Sequence, residues 1–62
     1  MEIKIIRGGK PVKVYRSDII PRVGENVKEP LGLCYPIENI VYVYGSQTNQ
    51  LLHVELWLGI GI

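Results

Sequence analysis

Sixty-two residues with one cysteine and one histidine are expected to make one domain, 1–62, with no internal disulfide and no zinc site of Cys and His alone. A chain this close to the lower size limit for independent folding is expected to gain stability by association with another chain. Seven basic residues against six acidic ones give a formal net charge of +1, which excludes a whole-chain field that would gather nucleic acid or anionic lipid.

Hydrophobic residues make up 47% of the chain, too many for disorder, yet their runs fall far short of the ~20 residues of a membrane span. The opening MEIKIIRGG has no long apolar core of the secretory kind, so the expectation is a soluble, cytoplasmic domain without membrane contact. Seven glycines and four prolines punctuate the sequence, leaving few stretches that could hold three helical turns. Between them Val, Ile and Tyr alternate with polar residues at a period of two, as strands with one buried face require.

The first hairpin turns at Gly8 and Gly9, which can take the positive φ of a two-residue turn, and places Arg7 opposite Lys10. That register predicts Ile5 opposite Val12 and Ile3 opposite Val14 on one apolar face. Lys4 opposite Lys13 and Glu2 opposite Tyr15 then make a solvated face. Pro11 falls opposite Ile6 at a non-hydrogen-bonded pair, where its missing N–H costs no ladder bond. The segment SDIIPRVGE that follows reads as a structured loop. Asp18 can bond its own backbone there, Pro21 fixes φ, Gly24 permits a turn, and Ile19, Ile20 and Val23 are expected to pin the loop to the core.

A short strand from Asn26 to Lys28 comes next, before Pro30 and Gly32 break the chain. Tyr35 to Tyr44 is the longest strand candidate, and Glu38 with Asn39 interrupts its apolar pattern as a β-bulge would. After the polar loop GSQTNQ, Leu51 to Leu58 alternates, with Leu52, Val54, Leu56 and Leu58 on one face and His53, Glu55 and Trp57 on the other. A helix from Thr48 to Leu58 is the competing reading, since Leu51, Val54 and Leu58 also fit helical spacing. As a strand the segment pairs with its predecessor: Tyr44 opposite Leu51, Val43 opposite Leu52, Val41 opposite Val54. Tyr42, Tyr44, His53, Glu55 and Trp57 would then share the outer face.

No catalytic constellation emerges, and the expectation is a non-enzymatic protein with no cofactor and no metal. His53 would need an orienting group and a nucleophile that the sequence does not place, so it reads as a strand residue beside Tyr42. Cys34 lacks an identifiable base and reads as a small buried hydrophobe. Gly8, Gly9 and Gly24 form no phosphate-loop or dinucleotide pattern. Lys10, Lys13, Tyr15, Arg16 and Arg22, together with Arg7, could make a basic-aromatic face that tracks phosphates and stacks bases. Glu2, Asp18, Glu25 and Glu29 dilute that field, which makes nucleic-acid binding the alternative rather than the main reading.

The main reading is self-association. Tyr42, Tyr44 and Trp57 are amphipathic side chains of the kind enriched at interfaces, and the run LWLGIGI adds Leu58, Ile60 and Ile62. Between Ile20 and Tyr44, the text IPRVGENV followed by YPIENIVYVY resembles a pattern in small uncharacterised bacterial and phage-encoded proteins with SH3-like barrels. The resemblance implies a fold and no activity, so no functional residue is carried over. The resulting expectation is an all-β, SH3-like or OB-like barrel of about five antiparallel strands. It would act as a protein-interaction module, a homodimer or a partner of another protein, through Tyr42, Tyr44, Trp57, Leu58 and Ile60 or the edge of the C-terminal strand.

Overall fold

A computed structural model of the chain describes residues 1–28 and 33–60. Glu29, Pro30, Gly32 and Ile62, which figure in the expectations above, lie outside the described residues. Five strands are present: β1 Glu2–Arg7, β2 Lys10–Arg16, β3 Asn26–Lys28, β4 Cys34–Tyr44 and β5 Leu51–Leu58. They form one sheet in the order β2-β1-β5-β4-β3, curled into a half-barrel consistent with a small SH3-like or OB-like fold. The competing helix is replaced by β5, whose backbone is paired with β1 on one side and β4 on the other.

One pairing departs from the expected all-antiparallel sheet. β1 runs parallel to β5, with Ile3 beside Val54 and Ile5 beside Leu56; the other three neighbour pairs are antiparallel. β5 is therefore central between residues 54 and 57, and the C-terminal strand offers no free edge there.

The β1–β2 turn forms as the sequence predicts, with Gly8 and Gly9 at φ of 62° and 79° and Arg7 opposite Lys10. The register beyond it does not. Pro11 sits opposite Ile6, but Val12 is an unpaired extra residue, and from there every partner is moved by one: Ile5 faces Lys13, Lys4 faces Val14 and Ile3 faces Tyr15. A one-residue slip moves a strand's side chains to the opposite face. Val14 is consequently 54% exposed while Ile3 stays fully buried, and Tyr15 packs on the core in place of Val14.

β4 and β5 carry two such irregularities. The bulge predicted at Glu38 and Asn39 is present, as Ile37 pairs with Leu58 and Asn39 with Trp57, leaving Glu38 unpaired. A second, unforeseen one leaves Leu52 unpaired between Val43–His53 and Tyr44–Leu51. Val43 therefore faces His53 rather than Leu52, and Val41 faces Glu55 rather than Val54.

The core is the concave side: Ile3, Ile5, Ile37, Val54, Leu56 and Leu58 are buried together, with Tyr15, Ile20, Val27, Tyr35, Ile40 and Leu51 packed around them. Full burial of a side chain such as Ile3 or Leu56 is worth about 1.5–3 kcal/mol. Ile20 alone of the loop's three aliphatic residues joins this cluster, because Ile19 and Val23 point into solvent. The loop is held instead by its backbone. Gly24, at φ 95°, donates to the Ile37 carbonyl at 3.0 Å, and Ile37 donates to the Glu25 carbonyl at 2.8 Å. Ser17 Oγ, rather than Asp18, accepts the local bond, from the Ile19 N–H at 3.0 Å.

Candidate functional site

Alternation along β5 turns Val54, Leu56 and Leu58 inward and His53, Glu55 and Trp57 outward. On that outer side the three polar-tipped residues form a hydrogen-bonded row. His53 Nε2 donates to Glu55 Oε2 at 3.0 Å, and Trp57 Nε1 donates to Glu55 Oε1 at 3.0 Å. The bond from His53 is the main reason why the Glu55 carboxyl titrates below its ordinary range, with the Trp57 bond next and Lys4 nearby adding to it. Both carboxylate oxygens are thus engaged in bracing the strand. No group of three or more His, Cys, Asp or Glu residues placed to hold a metal ion occurs among the described residues.

Residues paired across an antiparallel ladder share a face. Tyr42 pairs with Val54 and Tyr44 with Leu51, whereas Trp57 pairs with Asn39. The bulge at Leu52 therefore divides the expected stripe: Tyr42 and Tyr44 lie on the concave side and Trp57 on the convex side. Trp57 stands in register with Ile6, which is buried although it lies outside the core cluster. Leu58 is a core residue, and Ile60 is 90% exposed past the end of β5.

Tyr42 and Tyr44 belong to a projecting arm. β1 reaches β5 only from Val54 to Trp57, and β3 reaches β4 only from Cys34 to Pro36. Beyond those limits the β4–β5 hairpin has no strand on either flank among the described residues. The molecule is accordingly long, 40 × 20 × 18 Å, with a radius of gyration of 12.1 Å where a compact domain of this length has about 10.6 Å. Along the arm Tyr42, Tyr44 and Leu52 are each about half exposed, at 49%, 57% and 57%. The outer edge of β4 from Ile40 to Tyr44 carries the sequence IVYVY, with no charge, proline or bulge of its own to discourage pairing.

The basic residues expected to share one face are dispersed. Lys13 and Tyr15 face the concave side, where the Lys13 ammonium stands 5.9 Å from the Tyr15 ring centre, and burial pushes the Tyr15 hydroxyl's pKa up. Lys10 shares that side at the hairpin end, opposite Arg7. Arg16, opposite Glu2, falls on the convex side, and Arg22 lies in the loop, where its N–H donates to Glu25 Oε1 at 2.7 Å.

A cleft of about 330 Å³ opens between the two outermost strands, β2 and β3. Val12 and Lys13 line it from β2, Val27 and Lys28 from β3, and Ile5, Arg7 and Leu58 from beneath. Arg7 lies over the Tyr35 ring at 5.0 Å. Val12, Val27, Lys28 and Leu52 were not singled out as site residues by the sequence, because the bulges that place Val12 and Leu52 leave no mark in the alternation. The five uncharged residues IVYVY are visible in the sequence, but the edge expected there was that of the C-terminal strand, and nothing local marks β4 as the exposed one. No family model, curated protein or solved structure matches the chain.

Proposed function

We propose that this protein is a non-enzymatic interaction module that self-associates by pairing the outer edge of β4, Ile40 to Tyr44, with the same edge of a second copy. The observation that carries this reading is the projecting arm, whose apolar edge from Val41 to Tyr44 has no strand beside it among the described residues, the Ile40 N–H at its start being held by Asn39 Oδ1 at 3.0 Å. Two such edges meeting antiparallel about a twofold axis would join the sheets of both copies and bring Tyr42 and Tyr44 onto their counterparts. The small net charge sets little repulsion against such a dimer. A cytoplasmic setting suits the lone thiol of Cys34.

Sedimentation equilibrium across micromolar concentrations tests the reading. Wild type should be dimeric, and Tyr42→Lys combined with Tyr44→Lys should be monomeric with an unchanged far-ultraviolet spectrum. Ile60→Asp should remain dimeric, since that residue lies off the arm. A wild type that stays monomeric throughout the range refutes the proposal. A dimer lost in Ile60→Asp but kept in the tyrosine variant would move the interface to the tail.

A further inference from the structure

The cleft between β2 and β3 has the two properties of a site for a small amphipathic anion, and we infer that it binds one: a carboxylate carried on an aliphatic or aromatic body. Its volume, about 330 Å³, lies at the lower end of the range for small-molecule sites. Its apolar lining comes from Ile5, Val12, Val27 and Leu58, of which Ile5 and Leu58 are core residues exposed to the cleft from below. Among the described residues no acidic side chain lines it, and Lys13 and Lys28 bring two exposed cations to its rim; Arg7, which also lines it, is engaged with the Tyr35 ring. An apolar body lying on the core residues would place its carboxylate among these cations, whereas a cation or a bare anion would satisfy only half of the lining.

The occupant is a small molecule rather than an added peptide strand. The β2 edge is guarded by Pro11, by the bulge at Val12 and by Lys10 and Lys13, while β3 is three residues long. Those are the features that block backbone pairing while leaving side chains free to line a cavity. The inference is independent of the arm, which lies at the far end of β4.

Titration of ¹⁵N-labelled protein with octanoate, read by amide shifts, tests it. Saturable changes should centre on Ile5, Val12, Lys13, Val27 and Lys28. Acetate and octyltrimethylammonium should each bind at least about tenfold more weakly, a loss of about 1.4 kcal/mol. Lys13→Glu with Lys28→Glu, both exposed positions, should weaken octanoate by a similar factor or more; Lys28→Gln provides a milder version that keeps the fold. Binding should persist in the Tyr42→Lys, Tyr44→Lys variant, so the outcome is separable from that of self-association. Equal binding of the octyl cation, equal binding of acetate, or shifts centred on Tyr42, Tyr44 and Leu52 would overturn the inference.

Discussion

The β1–β2 and β4–β5 hairpins each carry an extra residue near the turn, and the consequences are opposite. In β1–β2 the extra residue, Val12, follows Pro11 and lies between Lys10 and Lys13 on an outermost strand, so the irregularity guards an edge. In β4–β5 the extra residue near the tip, Leu52, lies on the inner strand and leaves the exposed edge of β4 regular from Ile40 to Tyr44. The position of a bulge, on the outer or the inner strand of a pair, decides whether an edge is closed to partners or open to them. One hairpin therefore borders a cavity and the other presents a ribbon.

The sharpest way to break this comparison is to exchange the two edges. Replacing Tyr42 and Tyr44 by Lys should reduce self-association by more than about a hundredfold, because the charges must be desolvated or splayed apart in the paired sheet. Val14→Lys on the guarded hairpin should leave the sedimentation profile unchanged. The register itself is tested by stability in urea. Ile3→Ala should cost about 2–5 kcal/mol, as for a buried aliphatic residue, and Val14→Ala less than about 1 kcal/mol. Similar losses at both positions would restore the unbulged register.

Removing the guards should have a smaller and concentration-dependent effect. Lys10→Thr with Pro11→Val gives β2 a chargeless, hydrogen-bonding start, and light scattering should then detect species larger than dimers at high concentration. Their absence would assign the protection to Val12 and Lys13 alone. The smallest effect concerns the convex row. Glu55 titrates below its ordinary range in the folded state, so its contribution is present above the unfolded carboxylate pKa of about 4.3 and is lost as pH falls through the lower, folded value. In the variant carrying Tyr42→Lys and Tyr44→Lys, Glu55→Gln should be the less stable form at neutral pH, and the difference should shrink as pH falls below the unfolded carboxylate value. A difference that does not depend on pH would mean that packing, not ionisation, sets the role of Glu55.

Much of the fold is legible in the sequence. Gly8 and Gly9 mark the turn, period-two alternation marks the strands, and Glu38 with Asn39 marks one bulge by placing polar residues in an apolar run. The other two bulges are hidden because Val12 and Leu52 are β-compatible apolar residues that any alternating strand could contain, and nothing local distinguishes an unpaired Val from a paired one. Facing relations across both hairpins were consequently displaced by one residue, which separated Trp57 from Tyr42 and Tyr44. The parallel β1–β5 contact was hidden for a different reason: it joins residues at opposite ends of the sequence, and no turn residue encodes it. The cleft inherits both difficulties, since Val12 reaches it through a bulge and β3 faces β2 only because the whole sheet curls.

That parallel seam also shapes how the molecule assembles. Each hairpin can zip from its own turn within about 1–10 μs, yet Ile3 meets Val54 only after nearly the entire polypeptide has been drawn together, a closure whose entropy cost precedes any reward. The docking of β1 on β5 is therefore expected to be the slowest part of folding. Before that docking, the backbone that β5 later hides against β1 is without its partner strand, so folding chains at high concentration expose a pairing edge that the finished sheet covers.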